Sequence, residues 1–490
     1  MSEINELGTI GLLRWMWRQL TSMRTALILL LLLGVGAIPG SLLPQRTQNP
    51  MKVQEYFTNN PGLAQWLDRF KLFDVYSSPW FSAIYLLLFI SLIGCVLPRT
   101  FEHARYLRKE PPLTPRNLDR MEFYTPIALS TTTTGEDAIL DRAENWLSSR
   151  RFRIRREKNS ISAEKGYLRE SGNLLFHLSL ILILVGVALG SLFGSKGEAI
   201  VDVGDRFINT PTAYDSLQFG KLQNESSLSP FSLSIKDFQA KYDIQTNEPI
   251  DYTLQVEAAN PISAHAVSKT IKVNSPLTYG STKIYLQANG YSPIVTVRDA
   301  QGNITFQGPT IFLPQDGNLT SIGAIKLPDM KPPTGFIATF IPTFDKSPTR
   351  GAFSAFPSVL DPRLLFSVWQ GDLGLDTGKP QSIYRLDTSK MKKISLGSLS
   401  PHQTFNYGSG SITFDGWKPW VNLQIVTDPG KDYALLGAIL AILGLLTSLF
   451  GRQRRIWIKA DGKVEIAGLA KNAAPGLESE IQELKEALEK

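Results

Sequence analysis

Residues 173–194 read NLLFHLSLILILVGVALGSLFG, and this stretch decides the architecture of the chain. No charged residue lies between Glu170 and Lys196, and a run of this length, at about 1.5 Å per residue, crosses roughly 30 Å of hydrocarbon. The run contains one ionisable side chain, His177. A membrane-spanning helix that carries a histidine is therefore the starting point for both fold and function.

Three further uncharged runs have the length of a membrane span. They are Thr25–Leu43, Trp80–Leu97 and Tyr433–Gly451. We interpret the first as a retained span because its apolar part is too long for a signal peptide and no small-residue cleavage motif follows it. The sequence predicts transmembrane helices at 25–45, 79–98, 172–194 and 433–451.

The composition excludes several classes of protein. The 490 residues are 43% hydrophobic and only 19% charged, whereas soluble chains carry about 25% charged residues. A disordered chain, a coiled coil, a collagen-like fibre and a simple cytosolic enzyme are therefore excluded. The single cysteine, Cys95, excludes a structural disulfide and any C-x-x-C motif.

The placement of lysine and arginine predicts the orientation in the membrane. Residues 99–172 hold 15 Lys/Arg, and residues 452–455, after the fourth span, read RQRR. Residues 196–432, by contrast, hold 21 Lys/Arg and 21 Asp/Glu. We therefore expect both termini and the connection 99–171 on the cytoplasmic side. The net charge of +7 then reflects membrane topology, and we expect a lipid membrane but no nucleic acid as a partner.

The connections between the spans differ in pattern. Residues 99–171 predict a small α/β module, because Ile139, Ala143 and Trp146 recur at helical spacing before an alternating, strand-like stretch. The tail, 452–490, predicts an amphipathic helix over 477–490 that is solvated or docks to a partner. Between the first two spans, 46–78 is expected to be a short outer loop.

Residues 195–432 predict a large β domain on the outer side. Short alternating runs such as DYTLQVEA (251–258) and TKIYLQANG (282–290) favour an antiparallel, sandwich-like arrangement. The predicted fold class is thus an α+β membrane protein, with four transmembrane helices and a large all-β domain between the third and fourth spans.

His177 is the main candidate for a functional side chain. An ionisable group at membrane depth is costly and rare, which favours a functional role. The functional reading is a metal or haem-iron ligand, since imidazole is a common axial ligand. The alternative is a neutral imidazole bonded to Ser179, to another helix or to a backbone carbonyl. His177 lies about one and a half turns into its span, roughly 7–10 Å from the inner boundary.

The remaining candidates are weaker. His265 and His402 are most simply isolated surface histidines, and the role of His103 stays open. Cys95 fits a small buried thiol, and Asp372 and Asp376 fit turn positions. The sequence contains no P-loop, H-E-x-x-H or G-x-S-x-G motif, so no catalytic residue is assigned. Glycines in the first and third spans permit close helix packing: Gly34, Gly36, Gly40, Gly186 and Gly190.

Several of these segments resemble the CcsB/ResB family, the membrane components of the System II cytochrome c assembly machinery. They are LTSMRTALILLLLLGVGAIPGSLLPQ (20–45), KLFDVYSSPWFSAIYLLLFISLIGCVLPR (71–99) and, most specifically, AEKGYLRESGNLLFHLSLILILVGVALGSLFG (163–194). VNSPLTYGSTKIYLQANGYSP (273–293) looks like a family element in which Leu286 and Gln287 change the local order. GDLGLDTGKPQSIYRLD (371–387) looks like the branch of oxygenic phototrophs and plastids.

The resemblance implies a function that the composition does not. Members of the family act with CcsA, a multi-span haem-handling protein, to carry haem across the membrane and attach it to apocytochromes c such as cytochrome f and cytochrome c6. The family's third-span histidine corresponds to His177, which implies an axial ligand of haem b in transit. The resemblance also implies a thylakoid membrane, with a plasma membrane as the alternative.

Two hypotheses follow. In the first, the chain is the haem-delivery subunit of a cytochrome c synthetase (haem lyase) complex and has no complete catalytic site of its own. In the second, it is a scaffold or chaperone for the apocytochrome and CcsA that does not touch haem, and His177 is a packing residue. The dependence of haem retention on the His177 imidazole distinguishes the two.

Overall fold

The structure, a computed structural model, describes most of the chain. The described residues are 8–48, 50–130, 135–166, 168–259, 266–349, 351–377, 381–451, 453–470 and 476–489. They form two compact units, Met1–Val187 with Lys431–Lys490, and Ala188–Gly430. Each unit is described below by itself.

Four helices have the length and apolarity of membrane spans, as predicted. The helices are α1 (Thr9–Leu20), α2 (Met23–Leu42), α3 (Pro50–Asn59), α4 (Pro61–Arg69), α5 (Pro79–Leu107), α6 (Glu136–Ser149), α7 (Leu168–Phe193), α8 (Lys431–Phe450) and α9 (Leu477–Glu489). The spans are α2, α5, α7 and α8. Helix α5 continues past the predicted end at residue 98, because the loss of hydrophobicity marks the edge of the membrane and not the end of a helix.

The segment between α2 and α5 is folded and is more than the short loop expected from the sequence. Helices α3 and α4 enclose a small core of Val53, Ala64 and Phe73. Arg46 forms ion pairs with Asp68, at 2.8 Å, and with Asp74. The Arg46 guanidinium lowers the pKa of the Asp68 carboxyl. The segment is therefore fixed by its own core and by ion pairs.

A five-stranded antiparallel sheet joins the α5–α7 connection to the tail of the chain. Its strands are β1 (Phe123–Ser130), β2 (Arg153–Glu157), β3 (Ser160–Lys165), β22 (Arg454–Asp461) and β23 (Lys463–Ala470). Their order is β1-β23-β22-β3-β2. Helices α6 and α9 contribute to one core with this sheet. We call this assembly of 123–165 and 454–489 the split domain.

The terminal helix is an integral part of the split domain. All four apolar residues of its predicted stripe are buried: Leu477, Ile481, Leu484 and Leu488. They pack against α6 and the sheet. The expectation of a solvated or partner-docking helix is therefore wrong. The sequence pattern revealed the apolar stripe of α9 but not the surface that covers it. That surface belongs to the same chain, some 330 residues earlier, where Arg150 beside α6 also forms an ion pair with Glu483 of α9.

The split domain constrains the membrane topology. Strand β22 pairs with β3 from Arg454–Lys165 to Lys459–Ser160. Paired strands cannot lie on opposite sides of a bilayer. The connection between α5 and α7 and the tail after α8 therefore share one side of the membrane.

The β segment between α7 and α8 contains the other strands. They are β4 (Ser195–Asp202), β5 (Arg206–Ile208), β6 (Ser216–Phe219), β7 (Ser232–Tyr242), β8 (Pro249–Ala259), β9 (Val267–Lys272), β10 (Leu277–Tyr279), β11 (Thr282–Asp299), β12 (Ile304–Pro309), β13 (Leu313–Pro314), β14 (Ser321–Leu327), β15 (Thr334–Ile341), β16 (Phe344–Ser347), β17 (Gly351–Ser354), β18 (Arg363–Gly371), β19 (Met391–Leu399), β20 (Thr404–Asn406) and β21 (Gly410–Thr427). The predicted β domain between the third and fourth spans is confirmed.

Two 18-residue strands, β11 and β21, form the spine of the β segment. They pair antiparallel along their whole length, from Thr282–Thr427 to Asp299–Gly410. One end of the pair packs with the sheet β5-β7-β8-β9, around Ile284 and Leu423. The other end packs with the sheet β13-β14-β15-β18-β19, around Val295 and Phe414. The segment therefore has two hydrophobic cores built on one long pair of strands.

Shortening a buried side chain of α9 tests whether this helix packs into the core of the split domain. Leu484 is fully buried, and Leu484→Ala is expected to destabilise the split domain by about 2–5 kcal/mol through the lost burial and the cavity left behind. Amide hydrogen exchange of β22 and β23, measured on the whole protein in nanodiscs, should become faster. Ser479→Ala, at an exposed position of the same helix, should leave the exchange unchanged. Equal exchange in all three proteins would contradict this packing.

Candidate functional site

His177 lies in α7, one turn after Asn173. The ring Nδ1 lies 2.8 Å from the backbone carbonyl oxygen of Asn173. A carbonyl only accepts hydrogen bonds, so Nδ1 carries a proton, and in a neutral ring Nε2 then keeps its lone pair. Phe176 holds the ring edge-on, with the ring centroids 5.3 Å apart and an interplanar angle of 87°. A metal-ligating imidazole has this tautomer, and so does a histidine that bonds to a carbonyl of its own helix for packing alone.

Helix α7 packs closely against α8 through glycines. An added Cβ at Gly172 would lie 2.6 Å from the backbone nitrogen of Ser448, and one at Gly444 would lie 2.6 Å from that of Phe176. Such contacts leave no space for side chains, so the two backbones approach directly. The α8-facing side of α7 is thereby fixed at Gly172 and Phe176.

His177 faces away from this contact. It is one residue beyond Phe176, which turns it by about 100° around the helix axis. It shares a face instead with Leu184, seven residues on, whose carbonyl accepts a 2.9 Å hydrogen bond from Tyr85 of α5. The His177 side chain remains partly exposed. Within the described residues its Nε2 has no hydrogen-bond partner, so the lone pair is available.

The other histidines do not join His177. His103, in α5, places its Nε2 2.8 Å from the Ser171 hydroxyl in the first turn of α7, and its ring stacks on Tyr106 at 6.2 Å. His402 is exposed in a turn with a φ of 63°. His265 lies outside the described residues.

The remaining sequence candidates have structural roles. The Cys95 thiol is half-buried and donates to the Leu92 carbonyl. The Asp372 carboxylate accepts from the Gly374 N–H at 2.8 Å, which closes a turn and lowers the pKa of Asp372. In the described part of the chain, no group of three or more His, Cys, Asp or Glu could hold a metal ion.

The element 273–293 joins the two cores of the β segment. Gly290 lies beneath the Trp420 ring, where a Cβ would come within 2.3 Å. Ser292 is fully buried and donates to Asp202 at 2.6 Å. Burial raises the pKa of the Asp202 carboxyl, and the Ser292 hydrogen bond opposes that shift. Gln287 is the extra residue of a β-bulge, since Leu286 pairs with Leu423 and Ala288 with Asn422.

A buried carboxylate of β3, which no sequence pattern marks, lies beside the end of α5. The side chain of Glu164, in β3, is 1% exposed. It accepts from the Tyr106 hydroxyl at 2.8 Å and pairs with Arg455 at 3.3 Å. Three distant segments, α5, β3 and β22, thus meet at one carboxylate. The block 163–194 contains Glu164, but its partners are set only by the tertiary fold.

Comparison with known proteins identifies the family. A family model described as "ResB-like family" matches residues 23–482. The chain belongs to the ResB-like family. The match covers both parts of the split domain, the spans and the β segment, so the family resemblance found in the sequence is confirmed.

Curated relatives of this ResB-like protein come from cyanobacteria and algae. The cytochrome c biogenesis protein CcsB of Synechococcus sp. (strain WH7803) is 25% identical over 477 residues, which are 95% of this chain and 96% of that protein. The cytochrome c biogenesis protein Ccs1 of Phaeodactylum tricornutum (strain CCAP 1055/1) is 28% identical over 274 residues, covering 55% of this chain and 61% of that protein.

A solved structure, the cytochrome c haem lyase CcmF, is also similar to the ResB-like chain. It is 12% identical, covers 80% of this chain and 44% of its own, and aligns with a TM-score of 0.24. A score this low does not indicate a shared fold.

The glycine contact between α7 and α8 can be tested by one added methyl group. Gly444→Ala places a Cβ against two backbone atoms, the Phe176 nitrogen at 2.6 Å and the Gly172 oxygen at 2.8 Å. Overpacking of this kind costs about 1–3 kcal/mol, so the thermal unfolding midpoint in nanodiscs should fall. Gly34→Ala, in α2, meets no atom within 4 Å and is the matched control. A fall of the same size in both variants would argue against the contact.

Proposed function

We propose that this ResB-like protein takes part in the biogenesis of c-type cytochromes by carrying haem across the membrane. The curated relatives named as cytochrome c biogenesis proteins support the process. The geometry of His177 supports haem as the molecule that is carried. Haem b is here the substrate in transit, and the Nε2 of His177 would be one of its axial ligands.

The observation that carries the proposal is the hydrogen bond from Nδ1 of His177 to Asn173. It fixes the tautomer, holds the ring plane and leaves Nε2 free on a face that α8 does not cover. The packing alternative also expects a bond to a backbone carbonyl, but it gives no use to an Nε2 that has no hydrogen-bond partner among the described residues. The partial exposure of His177 instead fits a site that another molecule completes.

In this proposal the second axial ligand comes from a partner, because neither of the two other described histidines lies free beside His177 in its own unit. His103 already contacts Ser171, and His402 lies in the β segment, in an exposed turn. We therefore propose a CcsA-type membrane protein that supplies the opposing ligand. The two chains together would form a cytochrome c synthetase (haem lyase), in which the present chain contributes a ligand and a scaffold but no catalytic group.

The charge distribution supports the direction of transfer. With the basic connection 99–171 on the cytoplasmic side, His177 lies near the inner end of α7, where it would receive haem. The β segment would then face the lumen, where apocytochromes such as cytochrome f and cytochrome c6 accept it. The cyanobacterial and algal relatives support a thylakoid membrane.

Haem retention by the complex with CcsA tests the proposal. His177→Gly should abolish most of the Soret absorbance of the co-purified complex, because the ligand is lost while the helix backbone is kept. Added imidazole should restore both the Soret band and cytochrome maturation. His103→Gly, the same deletion on the neighbouring helix, should keep the haem.

The rival function is a scaffold for apocytochrome and CcsA that does not bind haem. It is favoured if the His177→Gly complex assembles and keeps its haem with an unchanged spectrum. A complex that fails to assemble in the variant, and that imidazole does not restore, would likewise remove His177 as a ligand and assign it to packing.

A further inference from the structure

Helix α1 is not covered by any other part of the described chain. None of its residues is buried, and Ile10 is 72% exposed. Its exposed large apolar side chains are Ile10, Leu12, Leu13, Trp15, Met16 and Trp17. Apolar surface of this extent is unfavourable in water. A surface outside the described chain must therefore cover this helix.

The apolar and basic residues of α1 lie on different faces. At about 100° per residue, four apolar side chains fall within about 80° of one another: Ile10, Leu13, Trp17 and Leu20. Arg18 lies on the opposite face, with Arg14 beside it. The helix contains no acidic residue, and among the described residues neither arginine forms an ion pair. Helix α1 thus combines an apolar face with an unneutralised basic face.

The C-terminal end of α1 contacts α5 within the apolar run of that helix. The Ser91 hydroxyl of α5 donates to the Leu20 carbonyl oxygen at 2.6 Å. One turn on, Gly94 makes room for Thr21, because an added Cβ would overlap the Thr21 methyl group. Ser91 precedes Arg99, the first charged residue after the run, by eight residues, which is about 12 Å along the helix axis. The end of α1 therefore lies at membrane depth.

The contacts at this end also orient α1. Trp17, on the apolar face, has a ring carbon 3.5 Å from the Cβ position of Gly94, so that face is turned toward the membrane. The Ser22 hydroxyl caps α2 by accepting from the Thr25 N–H at 3.2 Å. The Thr25 hydroxyl donates to the Gln19 carbonyl oxygen at 2.7 Å. Helix α1 is therefore joined to the first span by a hydrogen-bonded turn and is not its beginning.

We propose that α1 binds the anionic headgroup surface of the leaflet on the side of the split domain. That side is given by α5, whose C-terminal end leads into β1. A helix lying in the interface buries its apolar face about 5–10 Å into the boundary between headgroups and acyl chains. Tryptophan side chains favour this depth, and Arg14 and Arg18 on the other face would reach anionic headgroups.

The position and the two faces of α1 favour lipid over other roles. Arginines that only orient the first span need no apolar face opposite them and no contact with α5 at membrane depth. A protein partner would have to replace lipid at that depth in order to cover the apolar face. The inference is independent of haem transport, because it rests on contacts of α1 with α2 and α5.

Spin-label collision measurements on the whole protein in nanodiscs test the inference. In a Cys95→Ala background, the label is attached at Ile10→Cys, on the apolar face, or at Gly11→Cys, on the opposite face. In nanodiscs that contain phosphatidylglycerol, the label at position 10 should collide with oxygen and be shielded from a soluble nickel chelate. The label at position 11 should show the reverse.

Two results of this measurement would overturn the inference. Equal access of the nickel chelate to positions 10 and 11 would place α1 in water. A label at position 10 that neither oxygen nor the chelate reaches would mean that protein covers the apolar face, either a second copy of this chain or, if the shielding appears only in the complex, CcsA.

The response to lipid charge tests the role of the arginines. Each cation near an anionic surface strengthens membrane binding about fivefold. Replacing phosphatidylglycerol by phosphatidylcholine, or adding salt, should therefore raise the access of the nickel chelate to position 10. Arg14→Gln combined with Arg18→Gln should abolish this response. Lys392→Gln combined with Lys393→Gln, which removes the same charge at exposed positions of the β segment, should keep it.

The wild type decides between anionic and neutral lipid. Equal access of the chelate to position 10 in the two lipids would exclude anionic headgroups as the partner of α1. The complex of the double arginine variant with CcsA should keep its Soret absorbance, and His177→Gly should keep the response to lipid charge. The inference and the proposed function can therefore fail separately.

Discussion

The pairing of β22 with β3 is the constraint on which the membrane part of this protein depends. Strand β3 ends at Lys165 just before α7 begins at Leu168, and β22 begins at Arg454 just after α8 ends at Phe450. The pair of strands therefore brings the start of α7 beside the end of α8. Hydrogen bonds between strands are far more directional than contacts between apolar helices in lipid, which have no hydrophobic driving force of their own.

The helix contacts follow from that pairing. With the ends of α7 and α8 held together, the glycines at 172 and 444 let the backbones touch. The buried Glu164 carboxylate ties the end of α5 to the same place through Tyr106. Three spans are thus fixed at one side of the membrane. His177 is little more than one turn from Gly172, on the face of α7 that Tyr85 of α5 contacts at Leu184 and that α8 does not cover, and its Nδ1 proton is bonded to its own helix.

The β segment is organised differently. One long pair of strands, β11 with β21, supports two cores, and the bulge at Gln287 marks a change in its register. The distinctive sequence around Gly290 and Ser292 lies where the two cores meet. Gly290 leaves room for the Trp420 ring, and Ser292 donates a buried hydrogen bond to Asp202. A motif that stands out in the sequence is here a packing requirement.

The sequence by itself determined the four spans, the large β region and the candidate His177, because each depends on local composition: uncharged runs, alternation, and one ionisable group at membrane depth. It also revealed the apolar stripe of α9. Only the tertiary structure decided what that stripe packs against and where Glu164 finds its partners. These depend on contacts between residues hundreds of positions apart, and the periodicity of a single segment carries no information about its partner.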